Sequence, residues 1–168
     1  MALISPPTLV FYLEMCDPRD FRPKPPPPGF SCRPLAAPDP ELNRWFYVCV
    51  GSEYRWTDRL DWSYARWSEY VRRPQLETWI ARMHGQPAGY CELEHQAGGN
   101  VQIAYFGVLP DFVGQGVGGA MLSEVVRYAW SLPATRRIWL HTCSRDHGAA
   151  LPNYRARGFS VYRIEPRP

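Results

Sequence analysis

A run of closely spaced glycines joins a strand-like segment to a helix-like segment, and this run most constrains the fold. The apolar residues Val101 to Leu109 lead through Pro-Asp into the sequence Gly114-Gln115-Gly116-Val117-Gly118-Gly119, and an apolar helical run follows. Glycine tolerates positive φ and has no Cβ, so a ligand can approach its backbone closely. The first N–H groups of a helix are unpaired and lie at the positive end of its dipole. The segment therefore predicts either a phosphate or pyrophosphate site or a tight turn that binds nothing.

One class of phosphate-binding loop fits this segment poorly. Residues 114–119 match G-x-G-x-x-G, the fingerprint of dinucleotide-binding folds. That fold needs its first glycine directly after the strand and an acidic residue about 20 positions further on. Four residues separate Leu109 from Gly114, and the next strand-like run, Arg137 to Cys143, contains no acidic residue. A dinucleotide-dependent oxidoreductase is therefore disfavoured.

A second class of loop fits the segment better. Pro110, Gly116 and Gly118 fall in register with the pattern P-x-x-[RQ]-x-x-G-x-[GA]. This part of the chain resembles motif A of the GNAT superfamily, the acetyl-CoA-dependent N-acetyltransferases. Val113 departs from the pattern, because it stands where the family usually has Arg or Gln.

Residues 146–159 resemble motif B of the same family, N-x-x-A-x-x-x-Y-x-x-x-G-F. The matching positions are Ala150, Tyr154, Gly158 and Phe159. His147 stands where the family usually has Asn. Motif A followed by motif B is much more specific than either motif alone.

The resemblance implies an α/β (α+β) fold with a mixed, partly antiparallel sheet that is splayed near its middle and flanked by helices. That domain is expected over residues 30–168, in the order β-α-α-β-β-β-α-β-α-β. Residues 1–29 are expected to form a lead segment with a possible extra strand over 8–15 and a proline-rich linker over 22–29. Asp39 and Pro40 predict the start of one helix, and Asp61 predicts the start of a second over 62–73. Pro152 requires the last helix to start near residue 148 or later, or to bend.

The resemblance also implies acetyl-CoA as the cofactor and identifies the residues that bind it. Backbone N–H groups of the glycine loop would hold the pyrophosphate, and the strand before it would hold the pantetheine and the thioester carbonyl. The N–H of Val108 is expected to stabilise the oxyanion. The expected cofactor-binding residues are Phe106, Gly107, Val108, Val113, Gly114, Gln115, Gly116, Val117, Gly118, Gly119 and Asn153.

Catalysis requires a proton donor for the leaving thiolate and a proton acceptor for the attacking amine. Tyr154 occupies the tyrosine position of motif B and is the expected general acid. Many relatives place a carboxylate on the strand before motif A, but Gln102 stands there instead. The base therefore stays open between several side chains and a water relay. The candidate side chains are Glu92, Glu94, His141 and Asp58.

Aromatic residues are concentrated in the region where the resemblance places the acceptor site. Ten of them lie between Trp45 and Trp79. Trp56, Asp58 and Arg59 are the expected substrate-binding residues, and they would suit a small amine that bears an anionic group. Packing in the core explains most of these rings equally well.

Composition limits the possible partners and the compartment. The net charge is +3, and the basic residues are scattered, so nucleic acid is not an expected partner. No apolar run approaches the ~20 residues of a membrane span, and residues 1–7 lack the basic start of a signal peptide. The five cysteines show no C-x-x-C spacing, which favours a reducing compartment and argues against zinc. We expect a cytoplasmic protein without a metal, and a possible homodimer through edge pairing of the lead strand.

The expected function is acetyl transfer from acetyl-CoA to a primary amine of a small molecule or peptide, by direct attack in a ternary complex. Val113 and the missing carboxylate motivate one alternative, a non-catalytic acyl-CoA-binding or regulatory module on the same fold.

Overall fold

Seven strands form one open sheet in the computed structural model, which describes residues 7–167. The strands are β1 (Leu9–Met15), β2 (Phe30–Pro34), β3 (Leu76–Met83), β4 (Gln86–Gln96), β5 (Asn100–Val108), β6 (Arg137–Cys143) and β7 (Ser160–Pro166). The helices are α1 (Pro40–Gly51), α2 (Tyr64–Val71), α3 (Val117–Ser131) and α4 (Ala150–Ala156). The strand order is β2-β3-β4-β5-β6-β1-β7, with β5 and β6 parallel and all other neighbours antiparallel. The expected mixed, partly antiparallel α/β sheet is confirmed.

The two faces of the sheet are covered by different helices. Met121, Leu122 and Val125 of α3 are fully buried in the main core, together with Leu93 of β4. A smaller core lies under α1, where Phe46 and Val50 pack with Tyr90 of β4. Tyr90 points to the opposite face of the sheet from its neighbour Cys91, which lies in the main core. Alternate side chains of β4 therefore serve two separate cores, as the period of a strand requires.

Local capping explains where the first two helices begin. The side chain of Asp39 accepts a backbone hydrogen bond from the first turn of α1, and Pro40 occupies the first helical position, as predicted. The predicted start of α2 at Asp61 is wrong. Ser63 caps that helix by accepting a hydrogen bond from the N–H of Arg66 at 3.2 Å, and residues 59–62 form a turn instead.

The last helix begins late enough to accommodate its proline. α4 starts at Ala150, so Pro152 lies in the first turn, where a missing N–H breaks no helical hydrogen bond. His147 accepts a hydrogen bond from the N–H of Ala149 through Nδ1 at 3.0 Å, and this contact orders the entry to the helix.

The lead strand β1 lies inside the sheet, between β6 and β7. Its residues pair with β6 from Val10 to Met15, and on the other side they pair with β7. The side chains of Leu13 and Met15 are fully buried in the main core. The predicted strand is therefore confirmed, but it has no free edge for pairing with another chain. A homodimer stays a prediction that this strand no longer supports.

Two sequence expectations about membranes meet the structure differently. Within residues 7–167, no helix combines the length and apolarity needed to cross a bilayer. The expectation that the chain lacks a signal peptide depends on residues 1–7. Residues 1–6 lie outside the described residues, so this expectation stays a prediction.

The segment between β1 and β2, here called the lead crossing, passes over the first half of α3 and the end of α4. The N–H of Arg22 donates to the carbonyl of Arg157 at 3.0 Å, and the N–H of Lys24 donates to Ser123 Oγ at 2.8 Å. Gly158 packs directly against the backbone of Asp20. The lead crossing is therefore attached to both helices.

Gly158 gives a prediction about folding stability. This residue has φ +108°, and a Cβ there would lie 2.0 Å from the carbonyl oxygen of Asp20. Gly158→Ala adds a strained backbone and a backbone clash, so we expect a loss of about 3 kcal/mol in the free energy of unfolding. Gly85 has φ +82° with open space around it, so Gly85→Ala isolates the cost of the backbone angle, about 1 kcal/mol. Urea denaturation measures both, and equal losses would contradict the clash.

Candidate active site

Strands β5 and β6 separate halfway along their length and leave a cleft. They pair only from Asn100 to Ile103 on β5 and from Arg137 to Leu140 on β6. A bulge at Ala104, where Glu92 and Leu93 of β4 face Tyr105 and Ile103, marks the point of separation. The predicted splay near the middle of the sheet is therefore confirmed.

The free half of β5 presents backbone groups to this cleft. The N–H of Leu109 donates to the carbonyl of Ala88 on the β4 side. Because backbone direction alternates along an antiparallel pair, Gly107 also faces β4, whereas Phe106 and Val108 face away from it. No strand within the described residues pairs with them there. Their N–H and carbonyl groups can therefore bind an extended ligand.

Gly107 fits closely against α1. A Cβ at this position would lie 2.2 Å from Cγ1 of Val50. The glycine therefore serves the packing of α1 on β5, which is a structural reason for the residue beside its expected role in the cofactor site.

The glycine loop leaves several N–H groups free at the start of α3. Gly114 and Gly116 have φ of +83° and +82°, and no side chain caps the helix at Gly116. Residues 116–119 donate no hydrogen bond outside the helix, and the first helical N–H groups have no acceptor within it. The loop therefore forms a cradle of N–H donors at the positive end of a helix of 15 residues.

Two of the expected loop donors are used internally. The N–H of Val113 donates to the carbonyl of Pro110, and the N–H of Gln115 donates to the carbonyl of Phe112. The Gln115 side chain donates to the carbonyl of Asp111 and does not line the cleft. The structure therefore gives no donor role to these two N–H groups, because the short 3₁₀ turn at 110–112 takes them up.

A cavity of about 850 Å³ runs from the glycine loop along the free half of β5 to the loop after α1. This volume lies within the range of ligand pockets. The predicted site residues that line it are Trp56, Asp58, Phe106, Gly107, Val108, Val113, Gly114, Gly116, Val117, Gly118, Gly119, His141, Asn153 and Tyr154. One cavity thus brings together most of the residues that the sequence suggested.

Tyr154 lies on α4 next to the free half of β5. Its ring meets the ring of Phe106 edge-on, with 5.9 Å between the centroids. Burial raises the pKa of Tyr154 far above its ordinary value, so the phenol keeps its proton at neutral pH. The side chain lines the cavity and can donate that proton to an anion formed there.

Asp58 supplies a carboxylate to the other end of the cavity. It accepts hydrogen bonds from the phenols of Tyr47 at 2.7 Å and Tyr105 at 2.6 Å. Partial burial alone would raise the pKa of Asp58, but these hydrogen bonds lower it below the ordinary value. Trp56 lies beside this group and packs edge-on against Tyr105. The result is an ionised carboxylate within an aromatic wall, which suits a cationic amine.

His141 lies on β6, on the opposite wall of the cleft. His141 is exposed to the cavity, and partial desolvation by the neighbouring protein lowers its pKa below the ordinary value. Asp146 opposes the shift but does not cancel it. The imidazole is therefore neutral near pH 7 and can accept a proton.

Glu92 and Arg59 do not reach the cavity. Glu92 is fully buried, and it accepts hydrogen bonds from Asn43 at 3.0 Å, Tyr70 at 2.7 Å and Arg59 at 3.2 Å. The Arg59 guanidinium lies 4.0 Å from the ring centroids of both Tyr70 and Tyr105. The structure therefore gives no support to Glu92 as a base or to Arg59 as a substrate ligand, because the two side chains form an ion pair away from the cavity.

Glu94 also lies outside the cavity and pairs with Arg73 at 2.9 Å. With Glu92 and Glu94 removed, His141 and Asp58 are the remaining base candidates from the sequence. Arg59 lies outside the cavity, but Arg55 lines it beside Trp56 and Asp58, so a cation for an anionic group on the acceptor is still present there.

Sequence reasoning missed several titratable residues of the cavity, among them Lys24, Asp146, His147 and Arg157. Asp146 accepts a hydrogen bond from the N–H of Cys143 at 2.8 Å and so closes the turn after β6. Arg157 lies within the motif B segment but not at a defining position, whereas His147 occupies the position where the family usually has Asn. Lys24 lies far from both motifs in sequence, and only the path of the lead crossing brings it here.

The splayed strands, the cradle of N–H donors and the long cavity define a class of protein: an α/β protein whose sheet opens into a cleft with the shape and the donors for an extended, phosphate-bearing ligand. A family model described as "Acetyltransferase (GNAT) family" matches residues 39–159. The chain therefore belongs to the GNAT acetyltransferase family. Its family generally uses acetyl-CoA. The site fits the phosphates of acetyl-CoA, because no side chain caps the start of α3 and buried nitrogens of Arg157 lack a hydrogen-bond partner within residues 7–167.

Solved structures agree with this fold. A GCN5-related N-acetyltransferase from Kribbella flavida is similar at 21% identity with a TM-score of 0.66, over 96% of this chain and 56% of that one. One from Sphaerobacter thermophilus is similar at 19% identity with a TM-score of 0.71, over 95% of this chain and 50% of that one. An aminoglycoside acetyltransferase from an uncultured soil metagenomic sample is similar at 12% identity with a TM-score of 0.63, over 77% of this chain and 87% of that one.

The chain thus spans about half the length of the first two similar structures. At these identities the likeness concerns the fold alone. No curated protein matches the chain.

Proposed function

We propose that the protein transfers the acetyl group of acetyl-CoA to a primary amine, by direct attack within a ternary complex. One observation carries the proposal: a single cavity connects the free N–H groups of the glycine loop with Tyr154, His141 and Asp58. Acetyl-CoA, when bound, supplies a thioester carbonyl carbon and a thiolate leaving group. The residues of this chain would hold it, orient the amine and move two protons.

Cofactor binding would use backbone groups along the whole cleft. The free N–H groups of Gly114 and of residues 116–119 would bind the diphosphate. Backbone groups of Phe106 and Val108 would hold the pantetheine, and the Val108 N–H would donate to the carbonyl oxygen as it gains charge. Asn153 lies beside the start of α3, with Nδ2 3.7 Å from the position of a Cβ on Gly118.

The acceptor would enter at the aromatic end of the cavity. Asp58 would attract the ammonium form of the amine, and Trp56 would contact its apolar part. The ammonium would first lose one proton to solvent, because only the neutral amine has a lone pair, and His141 would take a second proton from the nitrogen, directly or through water, as the nitrogen–carbon bond forms. Tyr154 would give its proton to the sulfur as the carbon–sulfur bond breaks, and it would regain a proton from solvent.

An acceptor screen with thiol detection tests the proposed function. Purified protein, acetyl-CoA and a panel of primary amines should release free CoA, and mass spectrometry should find the acetylated amine. Asp58 and Arg55 both line that end, so the panel should include amines with and without an anionic group, and faster turnover of acceptors that carry one would indicate a contact with Arg55. Tight CoA binding without turnover of any amine would instead favour the acyl-CoA-binding module.

Cytoplasmic location stays a prediction.

The lowered pKa of His141 gives a prediction about pH dependence. If His141 is the base, kcat/KM falls as pH decreases through a value below 6.5, because the protonated imidazole cannot accept a proton. His141→Gln should remove this acidic limb and lower kcat/KM about 100-fold. His95 pairs with Glu77 outside the cavity, so His95→Gln should keep the limb. The acceptor amine itself titrates at a higher pH, so only a limb with the same pKa below 6.5 that survives in His141→Gln would assign the base to another group.

A further inference from the structure

Two cationic side chains converge on the first turn of α3. A methyl group at Gly119 would lie 2.7 Å from Cδ of Lys24 and 3.1 Å from Nη1 of Arg157. Both residues line the cavity, and neither forms an ion pair within residues 7–167. Like charges at one place repel each other, so an anion between them would stabilise the arrangement.

Arg157 has unused donors. Its Nε and Nη1 atoms are buried and make no hydrogen bond with any described residue. A buried donor on a charged group is costly to leave unpaired, so such groups point to a missing partner. Phosphate oxygens are acceptors that match the geometry of a guanidinium.

Lys24 is held at this place by its own backbone. The N–H of Lys24 donates to Ser123 Oγ at 2.8 Å, and Ser123 in turn donates to the carbonyl of Gly119 at 2.8 Å. Two residues earlier, the N–H of Arg22 donates to the carbonyl of Arg157. The lead crossing is thus fixed to α3 at Lys24 and to α4 two residues before it. Lys24 is the single lysine of the chain.

We propose that Lys24 and Arg157 bind the diphosphate of the cofactor, together with the free N–H groups at the start of α3. This inference rests on the proposed function, because it takes CoA or acetyl-CoA as the ligand. The two side chains supply charge to a loop that has Val113 where the family usually has Arg or Gln. Lys24 lies on the lead crossing, outside the residues that the family model matches. The proposal therefore extends the cofactor site beyond the matched residues.

Calorimetric titration of the full chain with CoA tests the proposal without any turnover. Lys24→Met and Arg157→Gln should each weaken CoA binding about tenfold, and Lys24→Arg should keep most of the affinity. The matched controls are Arg22→Gln and Arg155→Gln, which remove exposed charges of the same two segments outside the cavity and should leave the affinity nearly unchanged. Higher salt should weaken binding more in the wild type than in Lys24→Met.

Dephospho-CoA, which lacks the 3′-phosphate, identifies the phosphate involved. The proposal expects the same fold-loss with CoA and with dephospho-CoA. A loss seen with CoA alone would place the cations at the 3′-phosphate and overturn the diphosphate assignment.

Failure of this inference is separable from failure of the proposed function. Wild-type protein that binds no CoA would overturn both. Wild-type protein that binds CoA, with variants that bind it equally well, would overturn only the role of the two cations. If Arg157→Gln does not fold, Lys24→Met decides the outcome, because its side chain is exposed and its backbone hydrogen bond is kept.

Discussion

Replacing Tyr154 by phenylalanine is expected to reduce kcat at least about 100-fold while CoA affinity stays nearly constant. The change removes one oxygen and keeps the ring that packs on Phe106 and Phe159, so the fold of α4 should persist. Burial raises the pKa of the phenol, so Tyr154 holds its proton at every pH near neutrality. Without it, the departing sulfur must take its proton from water, and the barrier to breaking the carbon–sulfur bond rises.

Steady-state thiol release measures kcat, and calorimetry with CoA measures affinity separately. Tyr64 is an exposed tyrosine at the start of α2 that does not line the cavity, so Tyr64→Phe controls for loss of a phenol elsewhere. An equal loss of affinity and rate in Tyr154→Phe would assign the phenol to cofactor binding instead. Unchanged kcat would contradict the general-acid role.

Replacing Glu92 by glutamine is expected to cost about 3–5 kcal/mol in the free energy of unfolding, because it leaves the charge of Arg59 buried without a counter-ion. Glutamine keeps the size of the side chain and still offers one oxygen to Asn43 or Tyr70. Arg59 is enclosed by aromatic rings, at 4.7 Å from Trp62 and 4.0 Å from Tyr105, and cannot reach water without disrupting them. Thermal and urea denaturation measure the loss.

Glu94 provides the matched control for this substitution. It is also on β4 and also pairs with an arginine, but its side chain is 23% exposed. Glu94→Gln should therefore cost no more than about 1 kcal/mol. A double variant that also carries Arg59→Met should lose less than the two single losses combined, since no unpaired charge remains. A catalytic defect in Glu92→Gln with unchanged stability would restore Glu92 as a base candidate.

The parts of the candidate site that depend on local backbone structure could be predicted from the sequence. Gly114 and Gly116 adopt positive φ because the chain must turn sharply between β5 and α3, and that requirement is visible in the residues themselves. Tyr154 follows from its place in motif B, and the start of α4 follows from Pro152.

Long-range contacts could not be predicted in the same way. Glu92 and Asp58 are both carboxylates near aromatic residues in the sequence, yet one is buried against Arg59 and the other faces the cavity. Whether each carboxylate is buried or faces the cavity depends on how residues 57–62 fold, which the local sequence does not indicate. The position of Lys24 depends likewise on the lead crossing, whose proline-rich sequence indicates extended backbone but not the surface that it crosses.

The place of β1 in the sheet has a consequence for how this chain can be assembled and divided. β6 and β7 each pair with β1, so the last two strands of the chain are bridged by one that is made more than a hundred residues before them. Such distant pairing slows folding. A recombinant fragment that starts at residue 39, the edge of the family match, would lack β1. Strands β6 and β7 would then have no strand between them to pair with. Expression boundaries for this domain therefore belong before residue 9.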